Sequence, residues 1–294
     1  MPLQPDQHPQ PAQYQQPKSI LYIPAHKESF IAKASQRGAD VIALDLEDAV
    51  PTELKAQARE QLLPLCQQYL AQQKIWVRVN RPWTLLLKDL EKIVDRQVSA
   101  IIVPKTDNAA RIHFIDEALT EIEQQKGLPI GHTSIIGFIE SIDGMYNARE
   151  IAHASPRLIG LGMGTEDFAL TMGMQNTPST LYGPCQQLVM AARSAHIQPI
   201  GLVGSMAEFR DLELYQQQLE KGFELGFSAA FCIHPNQVVL VNQIYHPDQP
   251  LIDWAQRILT GWQHAQEAGE AVFELDGKMV DWPVVAKAEK ILGQ

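Results

Sequence analysis

The feature that most constrains this chain is a recurrence of short apolar runs between longer amphipathic stretches. Eight runs, at residues 20–23, 41–44, 75–79, 100–103, 135–139, 158–161, 199–203 and 229–233, start 21 to 41 residues apart. Short apolar runs of this kind read as buried strands, and each gap has room for a helix. Several gaps carry helical patterning, at 28–37, 51–73, 108–125, 144–153 and 209–225. Eight successive strand–helix units predict an α/β fold, a parallel (β/α)8 barrel of the TIM type. An open doubly wound sheet is the alternative. No GxGxxG follows the first run, which counts against the dinucleotide-binding version of that sheet.

The flanks differ in character. Residues 1–17 are rich in Gln and Pro, without apolar periodicity, and are expected to form a disordered tail. The barrel is expected over 18–247. Residues 248–294 read as a short C-terminal helical extension, two helices around the Trp282-Pro283 pair. Hydrophobic residues make up 45% and charged residues 20%, a globular balance. No apolar run approaches the roughly 18–20 residues of a membrane span, and the N-terminus lacks the charged and apolar regions of a secretory signal. Cys66, Cys185 and Cys232 form neither a metal spacing nor a disulfide framework. A cytoplasmic protein is expected, without a membrane partner. The net charge of −10 argues against a nucleic-acid partner but leaves room for a local basic pocket.

In a (β/α) barrel the chemistry lies at the C-terminal ends of the strands. Polar residues follow nearly every run here: His26 and Lys27, then Asp45, Glu47 and Asp48, then Arg78 and Arg81, Lys105, Glu140, Glu166 and Asp167, Ser205, and His234. Glu140 and Asp167 follow consecutive runs, so they can face one cation. Hard oxygen donors without His or Cys select Mg²⁺ or Mn²⁺. The alternative is a pair of helix-capping or surface carboxylates. Arg78 interrupts an apolar run, so its charge must face something other than the core. A guanidinium there suits a carboxylate or enolate oxygen, or a structural ion pair with Asp45 or Glu47. Lys105 fits a Schiff-base lysine, an anion clamp or a barrel salt bridge. Crowding among Asp45, Glu47 and Asp48 raises carboxyl pKa values, which creates a general acid or base. The same cluster could instead form a salt-bridge ring with Arg78, Arg81 and Lys105. Strand alternation points Asp45 and Glu47 one way and Leu46 the other; Asp45, nearest the strand, is expected to be the structural member, and Glu47 and Asp48 are the catalytic candidates.

The strings SILYIPAHKESFIAKASQRGADVIALDLEDAV, WVRVNR, IIVPK, IIGFIESIDGMYNAREIA, RLIGLGMGTEDFALTMG and FCIHPNQVVLVN occur in this order. Together they resemble the citrate lyase beta-subunit branch of the HpcH/HpaI aldolase family, which includes malyl-CoA and citramalyl-CoA lyases. The resemblance implies a barrel that makes or breaks a carbon–carbon bond with Mg²⁺ (or Mn²⁺). It implies Glu140 and Asp167 as metal ligands and Arg78 as a substrate-binding and catalytic residue. Lys105 and Glu140 are expected to contact substrate, and Glu47 or Asp48 to move the proton. The implied substrate is a 3-hydroxyacyl-CoA that yields a 2-oxo acid and an acyl-CoA, and the implied assembly is a homo-oligomer, a trimer or hexamer. Two departures stand out: the first loop reads Pro24-Ala25-His26-Lys27 where these lyases usually have Pro-Gly, and the seventh run ends Gly204-Ser205 without an acid. An aldolase acting on a free hydroxy-oxo acid, or a non-catalytic beta-type subunit, are the rival readings.

Overall fold

The computed structural model describes residues 16–247 and 249–292. The tail expected at 1–17 falls outside the described residues except for Gln16 and Pro17. The chain divides into two compact units, one spanning Pro17–Tyr245 and one containing His246–Gln294.

The first unit is a parallel (β/α)8 barrel. Its strands are β1 Ser19–Pro24, β2 Val41–Asp45, β3 Lys74–Arg78, β4 Val98–Val103, β5 Ser134–Ile139, β6 Leu158–Met163, β7 Gln198–Ile200 and β8 Ala230–Cys232. They pair in the order β7-β6-β5-β4-β3-β2-β1-β8, and one further parallel bridge, Ile200 to Ala229, joins the two ends. β7 is shorter than its apolar run. After Gly201 donates to the Ala229 carbonyl, Val203 N–H turns to the Gln218 carbonyl of helix Leu212–Leu225, so the chain leaves the sheet.

Alternate residues of a strand share a face, and that alternation splits the core in two. Ile20, Val41, Ala43, Trp76, Ala100, Ile102, Ile136, Phe138, Ile200, Ala229 and Phe231 fill the barrel. Their strand neighbours, such as Leu21, Ile42, Leu44, Val77, Ile101 and Ile135, pack outward in the larger cluster with the helices. Gly162 is inward, and a Cβ there would lie 2.4 Å from Phe138 Cδ2, so the glycine makes room for the Phe138–Phe231 edge-to-face pair. Continuing each inward series to the strand end gives Tyr22, Asp45, Arg78 and Glu140. The face that builds the core therefore also delivers the polar rim.

The helices follow their local chemistry. Helix Ala109–Lys126 starts where Asn108 accepts from Arg111 N–H at 3.0 Å and stops at Gly127, whose φ of 65° is open to glycine. The segment 144–153 forms two short helices, Ile142–Tyr146 and Ala148–Ala152, broken at Asn147. Likewise 28–37 divides into Glu28–Ile31 and a 3₁₀ turn Ala34–Arg37. At the end opposite the site, the Arg157 guanidinium binds Asp116, Glu123 and the Thr133 carbonyl, so this buried charge is fully paired.

The second unit contains helices Gln249–Glu267 and Trp282–Leu292 and a hairpin of β9 Phe273–Leu275 and β10 Lys278–Val280. Trp282-Pro283 starts the second helix, and the hairpin between is an addition to the helical reading. Its turn is Asp276-Gly277, both with positive φ (53° and 74°), as a two-residue hairpin loop requires. Ala255, Ile258, Val280, Val285 and Ala288 form its core.

Candidate active site

The ends of strands β1 to β6 and the turns after them build the site. Pairing β2 to β3 sets Asp45 directly beside Arg78. Arg78 Nε donates to Asp45 Oδ1 at 2.8 Å and Nη2 to Asp45 Oδ2 at 2.5 Å, a two-point clasp. Asp45 also accepts from the backbone N–H groups of Glu47 and Ala49, at 2.8 and 3.1 Å, which fixes the turn after β2. Asp45 is thus committed to the guanidinium and to the turn.

The remaining guanidinium nitrogen is aimed differently. Arg78 Nη1 lies 3.1 Å from Glu47 Oε2 and 3.9 Å from Asp48 Oδ2. Glu47 Oε2 is buried and lies in ion-pair range without a hydrogen bond. Burial lifts the Glu47 carboxyl to about 7, and nearby Arg78 only partly opposes that rise. Glu47 is 6% exposed, whereas the Asp48 side chain is 65% exposed. The two candidates therefore occupy very different surroundings.

The turn that carries them has a second anchor. Lys55, at the start of helix Lys55–Tyr69, donates to the carbonyls of Leu46 (2.9 Å) and Glu47 (2.6 Å) and to Asn80 Oδ1 (2.8 Å). Asn80 in turn donates twice to the buried Asp89, which also takes Arg59 Nε. These residues escaped the sequence reading. The available signal was a Lys and an Arg four residues apart, one helical turn, after the Leu-Glu-Asp turn.

Glu140 follows β5 directly and is buried, 6% exposed. Its Oε2 accepts Lys105 N–H at 2.6 Å. Burial raises the Glu140 carboxyl to about 8. Asp167 sits in the first turn of helix Thr165–Met172, where a carboxylate complements the helix dipole. Its Oδ2 lies 3.0 Å from Lys105 Nζ. One residue thus touches both carboxylates. Lys105 has φ of 47°, a left-handed conformation uncommon for a residue with a side chain. Glu166, beside Asp167, accepts from the Ser205 hydroxyl and so ties the turn after β6 to the turn after β7.

Tyr22 is the other residue missed. Its ring stacks on Phe231, and the Arg78 guanidinium lies over it at 5.1 Å. Its hydroxyl is buried without a partner, and burial holds the phenol protonated, well above its usual pKa. The signal was an aromatic residue at the last inward position of the first run. Among the described residues neither His26 nor His234 hydrogen-bonds to these groups. Stacking of His234 on Phe209 accounts for its place.

The donor set suits a hard divalent cation. Among the described residues no three His, Cys, Asp or Glu side chains gather around one point, so two carboxylates are what the site offers. Mg²⁺ characteristically takes one or two protein carboxylates and keeps its other positions for water and substrate oxygens. Gly164 makes space for this arrangement, because a Cβ there would lie 2.5 Å from Glu140 Cγ and 2.8 Å from Oε1. The residues present fit the ion.

A parallel barrel with carboxylates and cations collected at its C-terminal rim defines a barrel enzyme. The chain belongs to the HpcH/HpaI aldolase/citrate lyase family, whose model matches residues 18–235. It is 33% identical to the citrate lyase subunit beta of Haemophilus influenzae, over 94% of this chain and 95% of that one. It is 31% identical to the L-malyl-CoA/beta-methylmalyl-CoA lyase of Cereibacter sphaeroides, over 93% of each. The crystal structure of CitE from Mycobacterium tuberculosis, in complex with magnesium, acetoacetate and coenzyme A, superposes with a TM-score of 0.71 at 26% identity, over 94% of this chain and 97% of that one. The chain is a carbon–carbon lyase of this family.

Proposed function

We propose that the chain is a Mg²⁺-dependent lyase of 3-hydroxyacyl-CoA esters, releasing a 2-oxo acid and an acyl-CoA. The observation that carries this reading is the convergence of Glu140 and Asp167 on Lys105, close enough to Arg78 and Glu47 for the charges to act on one another. Relatives named for citrate lyase and malyl-CoA lyase, and a relative crystallised with magnesium and coenzyme A, support the substrate class. Homo-oligomeric assembly as a trimer or hexamer is part of the proposal. Exposed Leu170 and Met172, on the helix that carries Asp167, fit a face covered by another subunit.

Glu140 and Asp167 would hold the ion, which polarises the oxygens of the 2-oxo acid portion as a Lewis acid. Glu47 would take the proton of the substrate hydroxyl, and a carboxyl lifted to about 7 is matched to that task at neutral pH. As the carbon–carbon bond breaks, its electron pair passes to the thioester portion as an enolate. Arg78 Nη1 would face the enolate oxygen while Nε and Nη2 stay on Asp45, so the charge is fixed before reaction. Return of that proton to the enolate carbon, from Glu47 directly or through water, would complete the acyl-CoA. Assay of the purified protein with malyl-CoA, citramalyl-CoA and citryl-CoA, each with Mg²⁺ and beside the corresponding free acids, tests the proposal. Thioester cleavage that stops on chelation is expected. Turnover of the free acids alone would replace this reading with that of a free-acid aldolase.

The same Glu47 predicts a pH-dependent stability. Its folded pKa of about 7 exceeds the ordinary carboxyl value of 4.5. The folded chain therefore holds a proton that the unfolded chain has released, and this contribution to stability is lost as pH rises from about 4.5 to 7. Glu47→Gln is expected to melt above wild type at pH 8 and to converge with it near pH 5, by scanning calorimetry of the metal-free protein. A variant that melts lower at pH 8 would mean that the ion pair with Arg78 outweighs burial. In the enzyme, Glu47→Gln should also lower kcat more than it raises KM, while Asp48→Asn, at an exposed position, changes both less.

A further inference from the structure

Lys105 touches the side-chain carboxylates of both proposed metal ligands, and it does so through different groups. Its backbone N–H holds Glu140 Oε2 at 2.6 Å, and its ammonium holds Asp167 Oδ2 at 3.0 Å. The left-handed φ of 47° turns that N–H toward the Glu140 carboxylate. A long side chain at this position costs conformational energy that glycine would not, so the side chain has a use beyond the turn. The ammonium is not buried: its side chain is 37% exposed and Asp167 is 38% exposed, so neither is locked in place by packing. Asp48, exposed on the turn after β2, lies close enough to act electrostatically on Lys105 and offers the ammonium another resting place.

We propose that Lys105 is a positioning residue whose ammonium occupies the cation's side of Asp167 until a divalent ion enters, then yields it and turns to the anionic substrate. The inference rests on the metal-binding reading of Glu140 and Asp167 given above. The physical reasoning is like-charge exclusion. An ammonium within hydrogen-bond reach of a carboxylate that also binds Mg²⁺ sits within a few ångströms of a doubly charged ion. At that separation repulsion is substantial even beside water. Without the ammonium, Asp167 would lose its ion-pair partner beside Glu140 in the metal-free protein. With it the two carboxylates are held in register, and the backbone N–H keeps Glu140 aimed after the ammonium has left. The freed charge is then at the barrel mouth, where the carboxylate of a 2-oxo acid would meet it.

The test is titration calorimetry of the full chain with Mg²⁺ alone, checked by Mn²⁺ paramagnetic resonance. Lys105→Met keeps length and backbone preference and removes the charge, and Lys105→Arg keeps the charge. Lys105→Met is expected to bind Mg²⁺ about five- to tenfold more tightly at low ionic strength, with the gap narrowing as salt screens it. Lys105→Arg should stay near wild type. At saturating Mg²⁺, Lys105→Met should bind pyruvate more weakly, a change opposite in direction to that for the metal. A merely structural lysine would weaken both. Equal or weaker Mg²⁺ binding by Lys105→Met, with wild type binding normally, would overturn the inference and leave the metal site intact: the ammonium would then share Asp167 with the ion. Unchanged pyruvate affinity would overturn the hand-over to substrate. Absence of Mg²⁺ binding by both wild type and Lys105→Met would overturn the metal reading together with the inference.

Discussion

Arg78→Lys is expected to lower kcat/KM by about 10²-fold or more, the usual cost of losing one fixed donor at a developing oxyanion. The geometry explains why retaining the positive charge is not enough. Two guanidinium edges are in use: Nε and Nη2 on Asp45, and Nη1 toward Glu47 and the open mouth. A lysine ammonium is a single point of charge and cannot serve both directions. It would go to Asp45, which is 2% exposed and too buried to be left unpaired. The loss should therefore fall mainly on kcat, with a smaller fall in melting temperature from the missing second hydrogen bond. Steady-state kinetics beside a thermal melt separates the two effects. Unchanged turnover would assign Arg78 wholly to holding Asp45.

Glu140→Gln and Asp167→Asn are each expected to reduce Mg²⁺-dependent turnover to background while circular dichroism stays that of wild type. The two substitutions reach this result from different surroundings. Asp167 is half exposed at a helix start, where an amide costs little. Glu140 is buried, but an amide oxygen still accepts the Lys105 N–H, so no backbone donor is orphaned. Each amide removes a formal negative charge from a site that offers two carboxylates, so Mg²⁺ affinity should fall with activity. Full turnover by Glu140→Gln in the presence of a chelator would remove the metal from the mechanism.

Much of this architecture was legible because a barrel repeats one instruction. Eight apolar runs with helix-sized gaps, each followed by polar residues, specify both the closed sheet and the rim that carries chemistry. Arg78 and Glu140 could be picked out because a charge interrupting or ending an apolar run has little else to do. The contacts within the rim were less legible. Nothing in the spacing tells that Arg78 commits one edge to Asp45 and aims the other at Glu47, or that Lys105 reaches two carboxylates, because these depend on neighbouring strands and on a left-handed φ. Tyr22 was passed over because an aromatic residue in an apolar run reads as core, and its ring does pack there while its oxygen does not. The Asp276-Gly277 hairpin was missed although Asp-Gly between apolar residues is a strong local turn signal. A helical expectation for the whole extension had absorbed it.

The join between β7 and β8 has a consequence for how the barrel breathes. Six neighbouring strand pairs along β7 to β1 and the β1–β8 pair each share at least three paired residues, but the last join rests on one bridge and a few flanking bonds. Pro199, in β7, has no N–H to offer it. Cooperative opening starts where backbone pairing is thinnest. This barrel is therefore better pictured as a sheet rolled up and buttoned along one edge than as a uniform ring. Partial opening along that edge would loosen the turn at Ser205 and, through its bond to Glu166, reach the helix that presents Asp167, before the β1–β5 wall bearing Arg78 and Glu140 is disturbed. The two halves of the catalytic rim are thus fastened to parts of the molecule with different resistance to unfolding.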